Sequence, residues 1–376
     1  MAFLIVLAAL CFLMFVAYRG YSVILFAPVA ALGAVLLTDP SLVAPMFTGL
    51  FMDKMVGFLK LYFPVFLLGA IFGKLIEVSG FSKSIVAATI RLVGASRAML
   101  SIVIVCALLT YGGVSLFVVV FAVYPFAAEL FRQSNIPKRL IPGTIALGAF
   151  TFTMDALPGT PQIQNIIPAS FFGTNAWAAP WLGILGGVFI LIVGLSYLEW
   201  RRRAALKAGE GYADGGALVN EPASFTGGKL ANPLIAVLPL VLVGVSNKLF
   251  TSWIPGVYGD SHSFDPAVIG STPPVVQEVS KVAAIWAVEG ALLVGIACVI
   301  AFAWKPVMAS FAEGTRSAIG GAMLAAMNTA SEYGFGAVIA ALPGFLVVAN
   351  ALSAIPNPLV NEAVTVTALA GITGSA

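Results

Sequence analysis

Polar side chains crowd one stretch of an otherwise apolar chain. Residues 149–168 read AFTFTMDALPGTPQIQNIIP and carry Thr151, Thr153, Asp155, Thr160, Gln162, Gln164 and Asn165. Hydroxyls and amides can replace the water around a polar solute, and a carboxylate can carry a proton or hold a cation. The same stretch holds Pro158, Gly159 and Pro161. Proline removes a backbone donor and clashes with the preceding turn, and glycine offers no side chain to hold a helix. A helix that starts near residue 140 is therefore predicted to break at PGTP, and the broken element is taken as about 140–168. Inside a bilayer, interrupted backbone is tolerated only where protein or a water-filled cavity surrounds it. A polar break of this kind is what a solute site in a carrier requires.

The elements around this stretch are membrane spans. The 376 residues are 60% hydrophobic and 9% charged, where soluble domains carry about 25% charged residues. The bilayer is the solvent for so apolar a chain, and the continuous apolar runs exclude an alternating β-barrel pattern. A net charge of +3 spread over loops gives no nucleic-acid footprint. Cys11, Cys106 and Cys298 lie in apolar runs and read as packing residues. At about 20 residues per span, 1–18, 21–38, 56–78, 140–157, 177–198, 233–250 and 283–304 are predicted to cross. Residues 39–54 are predicted as a loop and 82–97 as an interfacial segment. Residues 251–282 read as an outer loop that includes His262, the one histidine. Residues 1–18 read as a retained first span, since the N-terminus lacks a basic n-region and a small-residue cleavage site.

Residues 98–131 are too long for one span and short for two. Thr110-Tyr111-Gly112-Gly113-Val114-Ser115 interrupts them, and Lys83, Arg91 and Arg97 precede them as Arg132, Lys138 and Arg139 follow. Positive charge collects on the cytoplasmic side. The segment is thus read as a re-entrant hairpin that enters from the cytoplasm and returns to it, against the competing reading of one helix kinked at Gly-Gly. Arg201, Arg202 and Arg203 place the end of the 177–198 span inside, and 200–232 reads as a cytoplasmic linker between a first half (1–199) and a second (233–376).

The second half echoes the first. NTASEYGFGAVIAALPGF (328–345) resembles LTYGGVSLFVVVFAVYPF (109–126), and NIPKRLI at 135 recurs as AIPNPLV at 354, 219 residues later. A second hairpin is predicted at about 320–350. The same offset carries Thr153-Met154-Asp155 onto Ile372-Thr373-Gly374, the start of a second broken helix, so the sequence reads as C-terminally truncated there. The fold class is an all-α polytopic membrane protein built from two related repeats. Inverted repeats are favoured, which requires 306–327 to make a further crossing; parallel repeats are the other solution.

The run Gly69-Ala70-Ile71-Phe72-Gly73-Lys74-Leu75-Ile76-Glu77-Val78-Ser79-Gly80, the Gly-interrupted hairpin and the break at Asp155–Pro161 resemble the gluconate permease family of the ion transporter superfamily. The resemblance runs along most of the chain. It implies proton-coupled uptake of gluconate-like hydroxy acids or other small carboxylates in a bacterial inner membrane. It also implies two inverted repeats with re-entrant hairpins and a homodimeric scaffold. No cofactor or metal is implied.

Two hairpin tips and two breaks are expected to meet near the midplane around one small organic anion. The first tip contributes Thr110, Tyr111, Gly112, Gly113 and Ser115, and the first break Thr153, Asp155, Gly159 and Thr160. The second tip contributes Asn328, Thr329, Tyr333 and Gly334, and the second break Thr373 and Ser375. The bland competitor is that these hydroxyls only bond their own helix backbone. Asp155 and Glu332 are the proton-coupling candidates, with Glu77, Glu129 and Glu289 behind them. Sodium is the alternative coupling ion, held by the carbonyls and hydroxyls of Thr110–Ser115. An intramembrane enzyme lacks support, since no HExxH, nucleophile–histidine pairing or Gly-x-Gly-Asp is present. A channel would show rings of pore charges, which the spans lack. A scaffold or sensor subunit would not need a duplicated hairpin and break.

Overall fold

The structure, a computed structural model, describes residues 1–94, 97–114, 116–215, 230–264 and 276–373. Among the described residues the regular structure is helical except for one small β-hairpin. In order the helices are α1 (Ala2–Tyr18), α2 (Val23–Thr38), α3 (Met52–Val78), α4 (Phe81–Val93), α5 (Ala98–Tyr111), α6 (Leu116–Gln133), α7 (Ile141–Ala149) and α8 (Ile163–Phe171). There follow α9 (Pro180–Lys207), α10 (Pro233–Tyr258), α11 (Ala283–Phe302), α12 (Trp304–Ala309), α13 (Phe311–Ala341), α14 (Pro343–Ser353) and α15 (Pro358–Thr373). Among the described residues four helical stretches are long and apolar enough to cross a membrane: Pro40–Val78, Pro180–Lys207, Pro233–Tyr258 and Ala283–Phe302. The protein is a multi-pass α-helical membrane protein.

Contacts divide the chain into two compact units, Met1–Phe63 with Gly321–Ala376, and Pro64–Gly320. This division does not follow the expected cut at 200–232. In the first unit α1 packs on α2, α14 and α15. Gly344 lies so close to α1 that a Cβ there would stand 2.2 Å from the Ala2 carbonyl oxygen. The residues preceding α3 are helical rather than a loop: Asp39 accepts from the Ser41 amide and hydroxyl, and Pro40–Leu42 winds as a 3₁₀ turn. Met46–Phe51 follow as a π-helical stretch that leads straight into α3.

Residues 328–334, the expected tip of a second hairpin, lie inside α13, which runs unbroken for 31 residues. The physical reason is local. Gly334 is flanked by helix-compatible residues, and a lone glycine costs a helix only about 1 kcal/mol. The helix yields instead where proline removes a donor, at Leu342–Pro343. Gly334 serves close packing, since a Cβ there would stand 3.0 Å from Phe51.

In the larger unit α5 and α6 run back on each other through Gly112–Val114. Two glycines in succession allow that reversal, and Gly113 takes φ +93°. With 14 residues α5 is about 21 Å long, short of the roughly 30 Å of hydrocarbon in a bilayer. It packs on α7, where Gly148 lets the helices approach: a Cβ there would stand 2.6 Å from the Val103 carbonyl oxygen. Helix α4, expected at the interface, buries Phe81, Ile85, Val86 and Thr89 and packs on α5 and α10. Its apolar stripe is a packing face.

Past α9 the predicted linker begins docked. Arg139 pairs with Glu210 at 2.6 Å, and Tyr212 is buried beneath Lys138 and Arg132. Residues 216–229 lie outside the described residues. Within the predicted outer loop α10 continues to Tyr258, and Ser261–Ser263 pairs antiparallel with Val276–Glu278. His262 sits edge-on to Tyr258 in this ribbon. Cys106 and Cys298 are buried, whereas Cys11 is exposed.

Candidate functional site

Helix α7 stops at Ala149 and no regular helix returns until Ile163. Residues 150–162 fold as successive turns, with Met154 N–H donating to Thr151 O and Leu157 N–H to Phe152 O. Gly159 takes φ +83° and its N–H donates across to the Ala176 carbonyl at 2.7 Å. The segment is held from three sides.

The first side is the α5–α6 turn. The Tyr111 hydroxyl donates to the Pro158 carbonyl at 2.8 Å. The Gln162 amide donates to Thr110 O at 2.7 Å and Val114 O at 3.1 Å, so one buried side chain serves both ends of the turn. Gly113 faces Pro161, at 3.2 Å from an added Cβ.

The second side is α9, whose Gly183, Gly187 and Gly194 form a bare face. A Cβ at Gly183 would stand 2.0 Å from the Ala156 carbonyl oxygen, one at Gly187 3.2 Å from Leu157, and one at Gly194 2.3 Å from Leu147. Small residues at intervals of about a turn let backbone approach backbone, as in membrane helix pairs generally. The third side is Trp177, whose ring lies 2.3 Å from where a Cβ on Gly159 would be. Its indole N–H donates to Asn247 Oδ1 at 3.0 Å, and the Lys248 ammonium lies 4.7 Å from the ring centroid.

Among the sequence-predicted residues, Thr110, Tyr111, Gly112, Gly113, Thr153, Gly159 and Thr160 thus belong to one unit and surround one break. The hydroxyls divide. Thr153 donates to Gly148 O at 2.6 Å, Thr160 to Thr153 O at 2.9 Å and Thr151 to Leu147 O at 2.6 Å, so these bond backbone as the bland reading holds. The buried Thr110 hydroxyl has no partner among the described residues. Asp155 is exposed at the edge of the break and forms no ion pair among the described residues. Ser115 lies outside the described residues, as does Ser375, while Thr373 is the final residue of α15.

Asn328, Thr329, Glu332, Tyr333 and Gly334 fall in the other unit. They lie on the continuous α13, where Thr329 donates to Ala325 O at 3.2 Å and Tyr333 packs 5.6 Å from Phe58. Glu332 is half-buried and does not pair with Arg316. Of the lesser carboxylates, Glu77 pairs with Lys74 at 3.0 Å and Glu129 with Arg132 at 2.7 Å. Glu289 lies half-buried on α11. A cavity of about 720 Å³ opens elsewhere in the larger unit, lined by Arg97, Gln133, Leu195, Glu199 and Arg202 and by none of the break residues.

Trp177 and Asn247 escaped the sequence reading. Their one visible signal is Asn247 itself, an amide inside the apolar run of α10.

Span-length helices and an interrupted, hydrogen-bonded segment define a polytopic α-helical membrane protein. No protein-family model matches the chain. It is 58% identical over 384 aligned residues to the "uncharacterized transporter YxjC" of Bacillus subtilis (strain 168), across 100% of this chain and 81% of that protein. The chain belongs to that transporter family.

Proposed function

We propose that the protein is a secondary active transporter that takes up a small organic anion, a gluconate-like hydroxy acid or another small carboxylate, by proton symport across the bacterial cytoplasmic membrane. The observation that carries this reading is the join between the α5–α6 turn and the 150–162 break, made by Gln162 and Tyr111. Interrupted helices leave backbone donors free of the helical ladder, and paired interruptions are where carriers hold charged solutes. Asp155 is exposed within the break, forms no ion pair among the described residues and is the proton carrier in the proposal.

The protein in proteoliposomes, given labelled gluconate, lactate or acetate, tests it. An inward pH gradient alone is expected to drive accumulation that a protonophore abolishes. Accumulation under a Na⁺ gradient alone would replace the proton with sodium, and no accumulation of any acid under either gradient would reject the reading.

A further inference from the structure

Asn247 is fully buried in α10, and half of its amide is accounted for. Indole N–H is a donor only, so the atom that receives it from Trp177 must be the oxygen. The orientation of the amide is thereby fixed, and Nδ2 turns its two N–H groups the other way. Among the described residues nothing accepts them: Asn247 Nδ2 is buried without a partner. In an apolar interior such a group is costly, and proteins rarely tolerate it without a use.

The place it occupies is informative. Leu240 and Val243, on the same face of α10, close on Gly112 and Gly113: an added Cβ would stand 2.3 Å from Leu240 and 3.4 Å from Val243. Asn247 follows Val243 by one turn. Helices α10 and α11 run antiparallel, with Phe250 against Gly290 and Val243 against Gly295. That register sets Asn247 level with Leu292, and Leu292 also touches the Gly113 position, at 3.3 Å. The Thr110 hydroxyl, at the start of the same turn, is another buried polar atom without a partner among the described residues, as is Gln164 Oε1 on α8. Lys248, next in sequence and over the Trp177 ring, adds positive charge beside the amide.

We propose that Asn247 is an anion-binding residue, its Nδ2 donating to an oxygen of a small carboxylate while Trp177 holds the amide in that orientation. The ligand class rests on the transport reading; the need for an acceptor at Nδ2 does not.

The test uses the whole protein in detergent and in proteoliposomes. Tryptophan fluorescence is titrated with sodium gluconate, sodium acetate and neutral sorbitol. The wild type is expected to respond saturably to the carboxylates and not to sorbitol. Asn247→Asp keeps an acceptor for Trp177 and removes both donors, so it is expected to weaken binding by about 10- to 100-fold, as loss of hydrogen bonds to a charged group does. Should that variant misfold, Asn247→Leu with Trp177→Phe removes both partners and spares the unpaired indole. It is expected to fold and to bind as weakly. Unchanged affinity in either variant, or a wild type that answers to no carboxylate, overturns the proposal. Binding that depends on Asn247 without uptake under either gradient would overturn the transport reading alone, and uptake with wild-type affinity in the Asn247 variants would overturn Asn247 alone.

Discussion

The Tyr111 hydroxyl donates to the Pro158 carbonyl at 2.8 Å, tying the turn between α5 and α6 to the break 47 residues later. Proline at 161 cannot supply a backbone donor, so the carbonyls of the break look outside their own segment for partners. Tyr111→Phe removes one neutral hydrogen bond and leaves the ring. About 1 kcal/mol of stability should be lost, read as a lowered unfolding midpoint in detergent with uptake partly retained.

Gln162 has the larger role. Gln162→Leu withdraws the donor from both the Thr110 and Val114 carbonyls. Each stranded carbonyl costs about 1–3 kcal/mol, so this variant should be less stable than Tyr111→Phe and should lose uptake. An unfolding midpoint equal to the wild type's would show that the turn does not depend on the amide.

Gly159→Ala meets two obstacles at once. The backbone sits at φ +83°, and the new methyl would lie 2.3 Å from the Trp177 ring. Left-handed backbone costs a non-glycine residue about 1–2 kcal/mol before any clash. Trp177→Ala in the same chain should relieve the clash and leave the backbone cost, so the double variant should recover only part of the folded yield.

Asp155→Asn conserves shape and removes the proton. Under the transport proposal it abolishes accumulation driven by a pH gradient while exchange of labelled for unlabelled substrate continues. Undiminished pH-driven accumulation would remove Asp155 from the coupling step, and Glu332→Gln or Glu289→Gln would be the next variants to assay.

The Arg139–Glu210 pair predicts a pH effect just beyond the end of α9. The guanidinium hydrogen bonds hold the Glu210 carboxyl below its ordinary range. A carboxylate favoured in the folded state contributes stability above its unfolded pKa and loses it as pH falls through the folded value. The pair is exposed to solvent, so the contribution is small. Hydrogen exchange at residues 210–214 should quicken below about pH 4, and Glu210→Gln should show the quick exchange at neutral pH too.

Much of the break was legible in the sequence, because Pro158, Gly159 and Pro161 each act on their own backbone. Gly112-Gly113 marked the α5–α6 turn for the same reason. The second interruption was misread from likeness to the first: Tyr333-Gly334 shares two letters with the tip but has one glycine where the tip has two. Residues 39–54 looked like a loop from their charges, yet Asp39 caps a helical start at Pro40. The contact between Trp177 and Asn247 joins residues 70 apart in sequence. No local pattern encodes such a pairing, so only an isolated amide in an apolar run could have hinted at it.

Helix α9 also carries a ruler. Trp181 and Trp200 are both exposed on it, about 28 Å apart at 1.5 Å per residue, close to the thickness of a bilayer's hydrocarbon. Tryptophan favours the two headgroup boundaries, and Arg201, Arg202 and Arg203 follow Trp200. On that scale Gly183 and Gly187, which face Ala156 and Leu157, lie within about 10 Å of the Trp181 end. The polar segment therefore leans on the Trp181 end of α9 rather than on its middle, and the two tryptophans stand at unequal distances from it.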